Sequence, residues 1–149
     1  MQKITLFLLF GILLFACKKE SGEGGTSVIE GKVYKIHTYE SVINEFDSLG
    51  YIDTTYKIID TLYHQLDAGK DVFIIYSDDE TAIYDDEFET DYNGRYSFEF
   101  LRKGKYTIYT YADSSDVNTT YEYPVFRHIE IKSNNSTNNV ADFVIEKNQ

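Results

Sequence analysis

The sequence predicts an all-β domain built as an antiparallel β-sandwich, and three observations lead to this fold class. Short segments alternate apolar and polar residues, as in 95–100, where Tyr96, Phe98 and Phe100 fall on one face. Turn signals separate these segments; the clearest is Asp-Tyr-Asn-Gly at 91–94, because Asn-Gly permits the positive φ of a tight hairpin. No long stretch repeats its apolar residues with helical spacing. Short strands punctuated by turns are typical of a sandwich.

The apolar alternation places predicted strands along most of the chain. They cover residues 28–34, 71–77, 95–100, 106–111, 125–132 and 140–146. The segment 71–77 is apolar on both faces, which indicates a strand that is covered on both sides. Residues 133–139 are polar, so we expect a loop there.

A long insertion, residues 36–66, separates the first two of these strands. It is longer than a structureless loop in a compact domain should be. Residues 47–50 resemble a turn, so we expect an inserted β-hairpin, with a helix over 39–46 as the alternative. The hairpin is expected to cover Phe73 and Ile75. In an alternative role it presents its tyrosines to a partner: Tyr39, Tyr51, Tyr56 and Tyr63.

The N-terminal segment predicts a lipid anchor. The apolar run 4–16 has the length of a signal-peptide core and is shorter than the roughly 20 residues that cross a bilayer as a helix. It ends in Leu-Phe-Ala-Cys, which resembles the lipobox of bacterial lipoproteins, and Cys17 is the only cysteine. We therefore expect cleavage between Ala16 and Cys17 and acylation of Cys17. An ordinary secretory signal or a short uncleaved anchor is the alternative.

This interpretation divides the chain into three parts. Residues 1–16 are the signal peptide, residues 17–26 a flexible tether rich in Gly and Ser, and residues 27–149 the sandwich domain. Lys18 rather than Asp follows Cys17, and resemblance to the usual sorting pattern then implies the outer membrane. Whether the domain faces the periplasm or the cell surface is left open.

Composition limits the partners that the domain can have. The chain has 149 residues and a formal net charge of −11, with fourteen tyrosines and no tryptophan. A strongly acidic surface repels nucleic acid and anionic lipid headgroups, so we expect neither nucleic-acid binding nor electrostatic binding to a membrane. No motif indicates a cofactor.

The densest acidic segment, residues 78–91, suggests a calcium site as a secondary hypothesis. Calcium requires several converging oxygen ligands, and the residues that could supply them are Asp85, Asp86, Asp91 and Asn93. The spacing matches only half of a calcium loop, because no closing glutamate follows. A solvated loop followed by a hairpin turn explains the same residues.

Four motifs together resemble the carboxypeptidase regulatory-like domain. They are Ile29-x-Gly31-x-Val33, Gly69-x-x-Val72-x-Ile74, Thr90-Asp91-x-Asn93-Gly94-x-Tyr96-x-Phe98 and Leu101-x-x-Gly104-x-Tyr106-x-Ile108. The resemblance spans residues 27–147 and implies a seven-stranded transthyretin-like sandwich, in which 36–66 would be an unusual insertion. Related Cna B-type modules share part of the pattern. Such domains accompany some carboxypeptidases but do not cut peptides themselves.

The functional expectation is a non-enzymatic binding or scaffold module that contacts an envelope protein or a glycan. No nucleophile elbow, zinc-protease motif or phosphate loop occurs. Tyr109 and Tyr111 share an outward parity and could stack on a sugar or pack on a partner, and Tyr51 and Tyr56 in the insertion are further candidates for ligand contact. A calcium-stabilised or glycan-binding surface adhesin is the alternative. A hydrolase that uses paired carboxylates is less favoured, because no acid–base pair is recognisable.

Overall fold

The computed structural model describes residues 21–116 and 119–146, with side chains described throughout except at 37–40, 57, 59–63, 115, 116, 119 and 120. The elements in this part of the chain are all β-strands, which confirms the all-β fold class. They are β1 (Glu23–Phe46), β2 (Ile52–Leu66), β3 (Asp71–Ile75), β4 (Asp86–Glu89), β5 (Arg95–Leu101), β6 (Gly104–Asp116), β7 (Thr119–Ile131), β8 (Thr137–Asn139) and β9 (Phe143–Glu146).

The strands form two sheets around one apolar core. The first sheet joins β2, β1 and β5, with β8 and β9 also paired to β1, and the second has the order β4-β3-β6-β7. Both sheets contribute to the core, for example Ile29 and Phe143 from the first and Ile74 and Tyr106 from the second, all fully buried. The core therefore lies between the sheets, as in a sandwich.

Three features of the strand arrangement differ from the expectation. The described residues contain nine strands, so eight remain beside the hairpin strand β2 where seven were expected, and β8 and β9 run parallel to β1, so the sandwich is not wholly antiparallel. The strand β4 lies in the acidic segment and β8 in the expected polar loop. All four side chains of β4 are exposed, so their pattern carries no apolar alternation from which a strand could be predicted.

The alternation of β5 is confirmed except at its end. Tyr96 and Phe98 are buried, whereas Phe100, which we expected in the core, is 68% exposed. The register with β1 explains the difference, because Ile29 faces Phe98 but Ser27 faces Leu101. One extra residue is thus accommodated in a β-bulge, which shifts the buried position to Leu101.

The inserted hairpin is present, and no helix forms over 39–46. The first strand simply continues through the insertion and pairs with β2 up to Phe46 and Ile52. The carboxylate of Asp47 closes the turn, since Oδ1 accepts the N–H groups of Leu49 at 2.8 Å and Tyr51 at 2.9 Å.

The hairpin does not have the expected packing role among the side chains that the structure describes. Its outer part, residues 41–58, is here called the arm, and its apolar side chains are exposed, from 39% for Ile58 to 80% for Leu49. Phe73 instead packs against Tyr84, Tyr109 and Tyr111, with ring centroids 4.8–6.0 Å apart.

Residues 21–26, which we expected in the flexible tether, are part of the folded domain. The first strand begins at Glu23, and the N–H of Gly22 donates to the Tyr106 hydroxyl at 2.9 Å. The segment 21–26 therefore packs on the domain. The cleavage and lipidation predictions at Ala16 and Cys17 lie outside the described residues. Within the part that is described, no helix has the length and apolar character needed to cross a bilayer.

Candidate functional site

A cavity of about 420 Å³ opens beside the middle of β1. It is bordered by β1, by the turn between β4 and β5, by β5 itself, and by the connection between β8 and β9. The lining residues are Glu30, Gly31, Lys32, Phe88, Asp91, Arg95, Tyr96, Ser97, Asn139, Val140 and Asp142. The volume lies within the range of about 300–1,000 Å³ that is typical of small-molecule sites.

The cavity exists because β1 changes partner on one side. The strand β8 pairs with residues 28–30 of β1, and β9 pairs with residues 33–36. Between these two strands the chain leaves the ladder at 140–142, held by a hydrogen bond from the Val140 N–H to the Glu30 carbonyl at 2.9 Å. Gly31 and Lys32 thus have no register partner on that side, and Asn139 and Asp142 flank the opening.

Gly31 and Tyr96 form the floor of this region. They face each other across the β1–β5 pair, and a Cβ atom added to Gly31 would lie 2.4 Å from the Tyr96 hydroxyl. Only glycine leaves room for the tyrosine ring at this position. The hydroxyl is buried and has no hydrogen-bond partner among the described residues. Burial strongly raises the pKa of Tyr96, and the charge of Asp142 adds to this effect.

The rim of the cavity is held in place by the β4–β5 turn. Oδ1 of Asp91 accepts the N–H groups of Asn93 at 2.7 Å and Arg95 at 2.9 Å, which fixes the turn that precedes β5. Phe88 of β4 stands edge-on to the buried Phe98, with centroids 6.2 Å apart, and remains 37% exposed. The rim therefore presents a partly exposed aromatic ring that packs on the core residue Phe98.

Charged and amide groups complete the lining. The side chains of Arg95, Asn139 and Asp142 are all exposed. Arginine and lysine donate hydrogen bonds, carboxylates accept them, and an asparagine amide does both. The cavity can therefore pair with a ligand whose polar groups are donors and acceptors at once.

The tyrosines that we expected to contact a ligand lie in two other places. Tyr109 is only 8% exposed and packs on Phe73 at 5.0 Å and Phe126 at 5.2 Å, so it offers no open face to a sugar. Tyr111, half-buried, stands edge-on to Tyr109 at 5.7 Å. Burial raises the pKa of Tyr109. Both side chains lie on the outward face of the strand, as expected, but the rings of Phe73 and Phe126 cover Tyr109.

The two arm tyrosines are accessible but lie away from the cavity lining. Tyr51 is 70% exposed at the turn, and Tyr56 is 46% exposed with its hydroxyl 3.4 Å from Glu45. The side chains of Tyr39 and Tyr63 lie outside the described set. The structure thus does not bring the expected tyrosines together into one site.

The residues that we considered as calcium ligands are engaged in hydrogen bonds with nearby backbone. Asp85 accepts the Tyr76 N–H at 2.7 Å and Asp86 accepts the Glu87 N–H at 2.9 Å, while Asp91 and Asn93 belong to the β4–β5 turn. In the described ranges, no group of three or more His, Cys, Asp or Glu side chains is arranged to hold a metal ion. These carboxylates thus accept hydrogen bonds from nearby backbone, and Asp86 begins the strand β4 where we expected a loop.

Sequence reasoning missed most of the cavity. Arg95 is more than forty residues from Asn139 and Asp142 along the chain, so no local spacing links them. The one usable signal is Gly31 in the middle of an apolar strand, because an interior glycine often marks close approach of another group. That signal indicates a special position but not the residues that surround it.

Comparison with known proteins does not assign the chain to a family. No protein-family model matches the sequence, and no curated protein is found as a relative. Among solved structures, the chain is similar to a Pseudomonas aeruginosa protein described as a candidate carbohydrate-binding protein, with 14% sequence identity and a TM-score of 0.42. The match covers 85% of this chain and 92% of that chain. A likeness this distant carries no argument about fold or ligand.

Proposed function

We propose that the protein is a non-enzymatic binding module of the bacterial envelope that is anchored by lipid on Cys17 and binds a glycan in the cavity beside β1. The observation that carries the proposal is the lining of that cavity. It combines an exposed aromatic ring, Phe88, with arginine, asparagine and carboxylate side chains around one opening of about 420 Å³.

The chemistry of a sugar suits this combination. Each sugar hydroxyl is both a donor and an acceptor, so it pairs well where Arg95 and Asn139 can donate and Asp142 can accept. The apolar face of a pyranose ring can lie against an aromatic side chain such as Phe88. Sites of this kind need only a few polar groups on a largely preformed surface.

The arrangement favours binding over catalysis. An acid–base pair of carboxyl groups needs one member kept protonated by an apolar environment. Glu30 and Asp142 are both exposed to solvent, and Asp91 is engaged in the turn before β5. These positions support recognition of a ligand without a reaction on it.

The binding proposal is tested by calorimetric titration of the mature chain with oligosaccharides selected from a glycan array. Arg95→Ala should weaken binding by about ten- to a hundredfold, because a hydrogen bond to a charged group contributes about 1.5–3 kcal/mol. Lys132→Ala, the loss of an exposed cation outside the cavity lining, is the matched control and should leave the affinity unchanged. Absence of binding to any glycan, or equal effects of both variants, would contradict the proposal.

The anchor is tested separately. The intact mass of the purified membrane-bound protein should correspond to a chain that begins at Cys17 and carries acyl groups. Cys17→Ser should abolish this modification and release the protein from the membrane fraction. An unmodified chain that begins elsewhere would show that the N-terminal segment is an ordinary secretory signal or an uncleaved anchor.

The arm favours a second candidate function, the binding of an envelope protein. Large apolar side chains are exposed there, including Phe46 at 63%, Leu49 at 80% and Ile52 at 58%. A two-stranded ribbon is marginally stable in water by itself, so a partner that covers these side chains would stabilise it. Crosslinking in intact cells should then capture a partner protein, and Leu49→Ser should reduce the amount that is captured. The same substitution should leave the affinity for glycan unchanged.

A further inference from the structure

The described chain begins very close to the expected lipid anchor. Ser21 is four residues after Cys17, a separation that an extended chain spans in at most about 14 Å. Ser21 donates a hydrogen bond from its hydroxyl to the Tyr76 carbonyl, and the Gly22 carbonyl accepts the Arg102 N–H at 2.9 Å. If Cys17 is acylated, the end of the domain that carries the β5–β6 turn must lie next to the bilayer.

This end carries an exposed aromatic residue in a strained conformation. Phe100 has a φ of 58°, in the left-handed region that side chains other than glycine rarely adopt. Its ring is 68% exposed, so core packing does not account for the conformation. The β-bulge turns the side chain outward, and backbone strain of this kind is concentrated at functional positions.

A basic groove lies at the same end of the domain, and two of its lining residues, Arg102 and Lys103, follow Phe100 closely in the chain. It has a volume of about 420 Å³ and is lined by Gly24, Gly25, Thr26, Arg102, Lys103 and Asn134, with no carboxylate among them. The guanidinium of Arg102 lies against Gly24, where an added Cβ would be 2.8 Å from Nη2, and its buried Nε has no partner among the described residues. The groove thus offers donors to an anion.

We propose that Phe100 and this groove dock on the surface of the bilayer that holds the acyl chains of Cys17. The ring of Phe100 lies at the boundary between headgroups and acyl chains, and Arg102 and Lys103 bind the phosphate of an anionic phospholipid. This inference rests on the lipid anchor proposed above. It departs from the expectation from net charge. Because salt screens charges beyond about 8 Å, Arg102 and Lys103 act on a headgroup in contact with them more strongly than the distant carboxylates of the domain do.

Docking would also set the direction of the glycan cavity. The strand β5 runs from Arg95 at the cavity to Leu101 beside the groove, and its seven residues span roughly 20 Å. With Leu101 at the membrane, the cavity opens at the opposite end of the strand. The domain would then present its ligand site away from the bilayer.

A single tryptophan reports the contact, because the chain has none of its own. Phe100→Trp is introduced into the acylated chain, which is reconstituted into vesicles of phosphatidylethanolamine and phosphatidylglycerol with brominated acyl chains. We expect the emission to shift to shorter wavelength and to be largely quenched. Tyr92→Trp, at an 85% exposed position in the β4–β5 turn, is the control and should stay unquenched. If bromination of the lipid leaves the emission of the Phe100→Trp variant unchanged, as it should for Tyr92→Trp, the inference is overturned.

A charge reversal tests the groove independently of the ring. In the Phe100→Trp background, Lys103→Glu should lower the ratio of docked to undocked protein by about fivefold or more, because each basic side chain near an anionic surface contributes on that scale. Lys70→Glu makes the same charge change beside Thr90, near the turn that precedes β5 and outside the cavity lining, and should have no effect. If Lys103→Glu also has none, the phosphate contact is wrong.

Flotation of the same samples separates this inference from the proposed anchor. Protein that does not float with the vesicles shows that the lipid anchor is wrong. If the Phe100→Trp variant floats while its tryptophan emission remains unquenched, the anchor holds and the docking face is wrong.

Discussion

Gly31→Ala is the substitution for which the structure gives the clearest expected magnitude. The new Cβ would lie 2.4 Å from the hydroxyl oxygen of Tyr96 and 2.7 Å from Cζ, both far inside van der Waals contact. Tyr96 is 1% exposed and lies between Phe98 and Phe143, with ring centroids 6.0 and 6.1 Å away, so it cannot swing aside freely. Overpacking of this kind costs about 1–3 kcal/mol.

A smaller effect opposes this cost. Alanine restricts the unfolded chain and so favours folding by about 0.4–1 kcal/mol where the backbone accepts it. We therefore expect the free energy of unfolding to fall by about 1–2 kcal/mol, and the melting temperature by roughly 3–8 °C. Chemical denaturation followed by circular dichroism measures the change directly.

The double variant Gly31→Ala/Tyr96→Phe provides the internal check. Removing the hydroxyl takes away the closest contact, so Gly31→Ala should cost less in the Tyr96→Phe background than in the natural one. Tyr96→Phe alone should be neutral or stabilising, because the hydroxyl is buried and has no partner in the described part of the chain. If Gly31→Ala is neutral, or if its cost is the same in both backgrounds, the account of this floor is incorrect.

Other contacts lead to three further predictions about stability. Lys35→Ala should lower the free energy of unfolding by about 3 kcal/mol, since its Nζ lies 3.4 Å from Oδ1 of Asp67, whose side chain is only 2% exposed; denaturation of Lys35→Met/Asp67→Asn should show partial recovery. Burial, with the charge of Glu23, raises the pKa of Tyr76 to about 12. The free energy of unfolding should therefore be unaffected by this group below pH 10 and decrease as the pH rises from 10 to 12. Tyr76→Phe should make that decrease smaller. Phe100→Gly should leave the free energy of unfolding unchanged or raised, because it relieves a positive φ; a loss above about 2 kcal/mol would mark the ring as a packing element.

The sequence was informative where side chains alternate and turns carry their own chemistry. The buried Tyr96 and Phe98 and the Asn-Gly turn before them are local features, so the pattern predicts them. Phe100 escaped this reasoning because a bulge with a non-glycine residue at positive φ leaves no mark in the sequence. Alternation predicts which side chains of a regular strand share a face, but it cannot detect the extra residue that forms the bulge in β5.

The arm and the cavity show two different limits of the same reasoning. The hairpin could be predicted from the turn around Asp47, but its exposure could not, because apolar side chains such as Val42 and Phe46 normally indicate burial. The cavity depends on the exchange of β8 for β9 beside β1, a long-range pairing that brings Asp142 near Arg95. Only the three-dimensional topology brings these two residues close together.

A nuclear magnetic resonance titration of the isotopically labelled mature chain with an oligosaccharide that it binds would locate the glycan site on the domain. We expect the shifted amide signals to cluster around the cavity, at Arg95, Ser97, Asn139 and Asp142, and the arm signals to stay in place. Shifts confined to the arm, or an unchanged spectrum across all oligosaccharides tried, would contradict a glycan-binding role for this cavity.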